Sequence, residues 1–179
     1  MFVSEIKTVP PVTFQTPLQR KVYLTLETLG VSFERVETDP AVTMEDCKEI
    51  NRKLDMDMVK TLFLCNRQQT RFYLLVTPGD KPFQAKEFSR AMDIPRVSFA
   101  PEALLERMLG VTIGAATIFS AILDTDNEIE VVLDKNVAST EWYGCSDGTV
   151  TGYMKFRTED ILHTFLPHAC HEPAIIEIE

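Results

Sequence analysis

The feature that most narrows the possible folds is a pair of short apolar runs, Val59 to Cys65 and Phe72 to Val76, separated by the polar turn Asn66-Arg67-Gln68-Gln69. Both are too short for typical helices and are rich in aromatic and β-branched residues, so they read as buried antiparallel strands. Thr77-Pro78-Gly79-Asp80 closes the second run as a turn. Such strands need cover, and helical periodicity supplies it. Leu18, Val22, Leu26 and Leu29 form one apolar stripe, with Thr16 as N-cap, Pro17 at the first helical position and Gly30 as the stop. A second helix is predicted from Thr43, as N-cap, to about Leu54. Others span Ala85 to Met92, Pro101 to Gly110 and Thr158 to about Leu166. Further strands are expected at Val31–Glu34, Val97–Phe99, Ala121–Leu123, Ile129–Leu133 and Thr149–Phe156. Ile175, Ile176 and Ile178 suggest an edge strand. Strands and helices alternate irregularly, with hairpin-like pairs. The pattern predicts an α+β fold, a mixed, largely antiparallel β-sheet or small barrel flanked by helices.

The 179 residues suffice for one ordinary domain. It is expected over residues 17–166, after a proline-bearing arm at 1–16 and before an acidic tail at 167–179. No repeat or linker interrupts it. Met1 to Val12 has no continuous apolar run and does not read as a signal peptide. No stretch approaches the roughly 18 apolar residues of a spanning helix. A cytoplasmic, monomeric protein with no membrane partner is expected. Cys47, Cys65, Cys145 and Cys170 form no C-x-x-C pair and read as free thiols. Net charge is −9, from 27 acidic residues against 18 Lys plus Arg. That balance argues against DNA and against any tight, non-specific grip on nucleic acid, which rests on neutralising phosphates.

The residue inventory restricts the chemistry. The only histidines are His163, His168 and His171, so a His base within the core requires the tail to fold back. Ser-His-Asp and Cys-His arrangements are disfavoured for the same reason. His168, Cys170 and His171 crowd together without a distant partner, unlike the usual paired ligand spacing, so no metal and no cofactor is predicted. No dinucleotide or Walker motif is present. Two features stand out. Lys60 opens a strand that is otherwise buried; it is either a strand-end lysine reaching solvent or a fixed positive charge for a phosphate or ester oxygen. Gly114-Ala115-Ala116-Thr117 is a run of small residues on a loop. It is either a tight packing turn or a place where backbone N–H groups approach a ligand.

In this order the pieces resemble the YbaK / prolyl-tRNA-synthetase-associated-domain family of aminoacyl-tRNA deacylases, especially free-standing members of the PrdX or ProX type. The resemblance covers about residues 17–166. It is carried by Thr43-Met44-Glu45, Lys60-Thr61-Leu62-Phe63-Leu64, Phe72-Tyr73-Leu74-Leu75-Val76 with Pro78-Gly79-Asp80-Lys81, Val97-Ser98-Phe99-Ala100, Leu109-Gly110-Val111-Thr112, Gly114-Ala115-Ala116-Thr117-Ile118-Phe119 and Val131-Val132-Leu133-Asp134. The resemblance implies trans-editing, the hydrolysis of the ester joining a wrong amino acid to the terminal adenosine of a tRNA, with Ala-tRNA(Pro) as the type substrate. It implies that Lys60 positions the terminal nucleotide and that the Gly114 loop offers backbone amides. It also implies that the tRNA's own terminal ribose hydroxyl helps activate water, with no protein base. Thr43, Thr61, Ala115, Ala116, Thr117, Ile118 and Asp147 are the implied substrate-binding positions.

The chain departs from the family pattern at several of these points. Thr61 stands where an asparagine is usual. Ile118 and Ile113 replace two prolines. Gly144 stands where a histidine is expected, and the stretch from Tyr143 to Thr149 keeps only Asp147 and Thr149 of the pattern. Two readings stay open: a deacylase, and a non-catalytic relative that binds a tRNA 3′ end, an aminoacyl-like ligand or a protein partner. For either, Lys60, Arg71, Lys81, Lys86 and Arg96 are expected to form one basic rim on an acidic body, which would bind a tRNA end weakly.

Overall fold

The computed structural model describes residues 1–179. Two sheets pack around a shared core. The larger has five strands in the order β4-β2-β3-β5-β8. These are β2 (Val59–Asn66), β3 (Phe72–Pro78), β4 (Val97–Phe99), β5 (Ile129–Asp134) and β8 (Ala174–Ile176). The apolar pair forms its centre: β2 and β3 run antiparallel, with Lys60 opposite Thr77 and Leu62 opposite Leu75. β4 adds antiparallel to β2, while β5 and β8 add parallel, so the sheet is mixed. The smaller sheet has the order β1-β7-β6, from β1 (Glu34–Glu37), β6 (Trp142–Ser146) and β7 (Gly152–Arg157), all antiparallel. A parallel bridge between Met58 and Gly144 links the two sheets, and neither closes into a barrel.

Pleating explains why β2 and β3 carry so few polar residues. On β3, Phe72, Leu74 and Val76 enter the main core. Tyr73 and Leu75 face the other way, onto Phe88 of α3 (Ala85–Met92) and onto Ile178 of the tail. Both faces are covered, so alternation disappears. Helix α1 (Pro17–Leu29) buries Leu18, Val22, Tyr23 and Leu26 against the inner face. It starts as predicted: the Thr16 hydroxyl accepts from the Gln19 N–H at 3.0 Å, and Gly30 ends it at φ 68°. The N-terminal arm adds isolated bridges from Val3 to Thr38 and from Lys7 to Arg35.

Several expectations need correction. Helix α2 spans Cys47–Leu54 and does not begin at Thr43. The Asp46 carboxylate turns back to accept from the Val42 and Thr43 N–H groups, and the Thr43 hydroxyl accepts from the Asp46 N–H. These bonds hold residues 43–46 as a separate turn. The strand expected at Ala121–Leu123 is part of a 3₁₀ segment, Ile118–Leu123. Ser120 donates to the Leu109 carbonyl at 2.7 Å and ties the segment to the helix before it. That helix, α4 (Glu102–Leu104), continues as a π-helical stretch, Leu105–Leu109. The first strand lies at Glu34–Glu37, three residues late, and the last long strand begins at Gly152. β6 is additional to the expected strands. After β5 comes α5 (Lys135–Ala138). The last helix is α6 (Thr158–Asp160), a π-helical turn Ile161–Phe165 and α7 (Leu166–His168).

The tail folds back onto the domain. His171 is buried, with its ring nitrogens 2.8 Å from the Asp124 carboxylate and 2.6 Å from the Ala169 carbonyl. All four cysteines are free. No helix is long and apolar enough to cross a membrane.

Candidate active site

β4 covers β2 only from Leu64 to Asn66, after which the Ala100 N–H caps the Phe63 carbonyl at 2.9 Å. Between the Met58–Gly144 bridge and Phe63 the strand edge is left open, and a cavity of about 460 Å³ lies along it. Its other walls are the Ala41–Met44 segment, the Gly114 loop and the inner residues Cys145, Ser146 and Tyr153. Phe99, Glu102 and Leu105 also line it. Most of the lining is apolar, with a few convergent polar groups, the usual composition of a small-molecule site.

The cavity gathers Lys60, Thr61, Thr43, Gly114 and Ala116 from three separate stretches of chain. Ala115, Thr117, Ile118 and Asp147 do not line it. Ala115 and Ile118 pack into the core, and the Thr117 hydroxyl accepts from the Phe119 N–H to start the 3₁₀ segment. Asp147 is buried and fully engaged: it accepts from Gln19 Nε2 at 2.9 Å, the Tyr23 hydroxyl at 2.8 Å, and the Thr149 hydroxyl and N–H at 2.7 and 3.1 Å. It clamps α1 to the β6–β7 connection.

Lys60 is half-buried, and its ammonium donates to the Lys81 carbonyl. Partial desolvation lowers its pKa below the ordinary lysine value, opposed by the Asp80 carboxylate. The group is therefore a charge held at the cavity edge by a backbone acceptor. Gly114 adopts φ +88°, and a Cβ there would lie 2.9 Å from Val42 Cγ1. The backbone there passes too close to Val42 for a side chain, and the loop borders the cavity.

Cys47, Cys145 and Tyr153 also line the cavity, and no motif pointed to them. Burial, with the nearby Asp46 carboxylate, pushes the Cys47 thiol up to about 11. Burial raises Cys145 further, against a hydrogen bond with Thr117. Both stay protonated near neutral pH, and a thiol attacks poorly. The Tyr153 hydroxyl is shared between the Ala41 and Val150 carbonyls and so ties the segment before the 43–46 turn to β7. No histidine lines the cavity. At Gly144, the space a side chain would occupy is filled by the Met56 thioether.

The predicted basic rim is not assembled. Lys81 is consumed by Asp134 and by the Ile178 carbonyl, both at 2.7 Å. Arg71 borders a separate depression with Arg107 and His171. Lys86 and Arg96 share another on α3. Of the five, only Lys60 reaches the cavity.

Mixed sheets flanked by helices agree with the fold that the resemblance implies, and comparison with known proteins shows the family. The chain belongs to the aminoacyl-tRNA editing domain family, whose model matches residues 38–164. It is 31% identical over 119 residues to the prolyl-tRNA editing protein ProX of Acetoanaerobium sticklandii, covering 66% of this chain and 73% of that protein. It is 26% identical over 164 residues to prolyl-tRNA synthetase associated domain-containing protein 1 of Danio rerio, covering 90% and 88%. A crystal structure described as a candidate trans-editing enzyme for prolyl-tRNA synthetase superposes with a TM-score of 0.65 at 16% identity, over 93% of this chain and all of that one. A crystal structure of a hypothetical protein gives 0.68 at 18% identity, over 87% and 98%. These two likenesses speak to the fold alone.

Proposed function

We propose that this protein is a trans-editing deacylase that hydrolyses the ester between a small amino acid and the terminal adenosine of a mischarged tRNA, with an Ala-tRNA(Pro)-like substrate. The observation that carries the reading is the convergence of Lys60, Thr61 and the Gly114 loop on one apolar cavity at the open edge of β2. The Lys60 ammonium would hold the terminal phosphate, and backbone N–H groups of the Gly114 loop would orient the ester carbonyl. Water adds to that carbonyl, helped by the free hydroxyl of the terminal ribose. The ester oxygen leaves with a proton, giving free amino acid and uncharged tRNA. The protonated thiols and the lack of a lining histidine support this route over one that begins with a protein nucleophile. Exposure to a panel of mischarged tRNAs tests the reading. Hydrolysis concentrated on small amino acids is expected; a panel left at the blank rate overturns it.

The alternative, a relative that binds a charged tRNA end without turnover, is favoured by one observation. Met56 fills the space at Gly144 where the family carries a histidine. Saturable binding of charged tRNA with no loss of the ester would select it.

A further inference from the structure

The segment after β8 is tied to the neighbourhood of the candidate site by the Lys81 side chain. Lys81 Nζ donates to the Asp134 carboxylate and to the Ile178 carbonyl, each at 2.7 Å. Asp134 is 1% exposed. Its other oxygen accepts from the Asn136 N–H at 2.9 Å and caps α5, so the carboxylate is held from both sides. Ile178 is seated in the apolar cluster with Leu64, Tyr73 and Phe88, and β8 pairs with the end of β5 as far as Asp134 opposite Ile176. The Lys81 side chain is thus fixed by a buried carboxylate and by the tail. The Lys81 backbone carbonyl, in turn, accepts from Lys60. Lys60 has no carboxylate within ion-pairing distance, so this carbonyl is its one direct partner.

We propose that Lys81, Asp134 and the Ile178 segment form a positioning relay that aims the Lys60 ammonium along the cavity edge. The tail is then part of the support of the site. The relay deepens the deacylase reading and rests on it for its consequence in catalysis, but the mechanical coupling stands independently. A pair of this kind is weak evidence for stability, and fixing register is a role that buried polar groups have in other proteins. Dislodging the tail would free Lys81, let the 78–81 turn relax and release Lys60 from its acceptor.

Two full-length variants test this. Asp134→Asn keeps an acceptor for the Asn136 N–H and removes the charge that holds Lys81. Ile178→Asp places a charge in an apolar seat and unseats the tail; Ile178→Ala replaces it if that variant does not fold. Ile175→Ser, at an exposed position on the same strand, is the control. The primary readout is the rate at which an amine-acylating reagent labels Lys60, followed by mass spectrometry with exposed Lys86 as internal reference. Lys60 labelling is expected to rise several-fold in both variants and to match wild type in the control. Unchanged Lys60 labelling in folded variants overturns the relay. The second readout is deacylation, where KM should rise more than kcat falls. If wild type deacylates nothing while Lys60 labelling still rises in the variants, the deacylase reading fails and the coupling survives.

Discussion

At the residue scale, Lys60 and Asp147 show how burial divides two charged groups between different tasks. Lys60 keeps a partial path to water, and desolvation lowers its pKa. For a base, a lowered pKa means that the ammonium is lost at lower pH than in a free lysine. Binding that needs the charge should be complete near neutral pH and weaken on the alkaline side, ahead of the ordinary lysine range of about 10.4. The Kd of a non-hydrolysable, amide-linked aminoacyl-adenosine end, measured against pH, should show this limb. Lys60→Arg, which keeps its charge, should flatten it. Asp147, by contrast, has four hydrogen bonds to Gln19, Tyr23 and Thr149 and no access to the cavity. Asp147→Ala orphans those donors and should cost about 3 kcal/mol of stability in urea unfolding. The sequence marked both residues through the resemblance, and nothing in it separates a ligand-facing carboxylate from a buried clamp.

At the scale of elements, what was legible depended on local chemistry. Thr16, Pro17 and Gly30 bracket α1 because capping is a local event, and the β2–β3 pair shows in its apolar runs. Ile118–Leu123 is buried along most of its length, so it has no amphipathic period, and its tie to Leu109 is tertiary. β6 is short, carries Gly144 in its middle, and gains its place from pairing with β7. The cavity lining followed the same division. Lys60, Thr43 and Gly114 sit in recognisable stretches. Cys47, Cys145 and Tyr153 meet only because α2, β6 and β7 pack together. Gly114 carries the prediction at this scale. An alanine there would combine positive φ with a Cβ 2.9 Å from Val42 Cγ1, so the loop must shift. Gly114→Ala should lower kcat/KM by about 10²-fold or more, the scale of losing one donor to a reacting carbonyl, and should reduce thermal stability only slightly.

For the whole molecule, the charge balance of −9 sets how a tRNA would be held. The dispersal of Arg71, Lys81, Lys86 and Arg96 leaves Lys60 as the one of the five predicted rim cations at the cavity. Affinity should therefore come from the apolar cavity and a few phosphates. With a slope of about −0.7 per phosphate for single strands, log K against log salt should fall with a slope of about −2 or shallower. A slope implying eight or more contacts would place the nucleic acid on another surface. Folding also brings the tail into the domain. His171 meets Asp124 and Ile178 meets Lys81, although the sequence presented the last residues as an acidic appendage. The most direct test of the central claim is single-turnover hydrolysis of Ala-tRNA(Pro) by wild type and by Lys60→Ala side by side. The account predicts hydrolysis well above the blank for wild type and a loss of about 10²-fold or more for the variant. Equal rates for the two proteins, or a wild-type rate no faster than the blank, would contradict it.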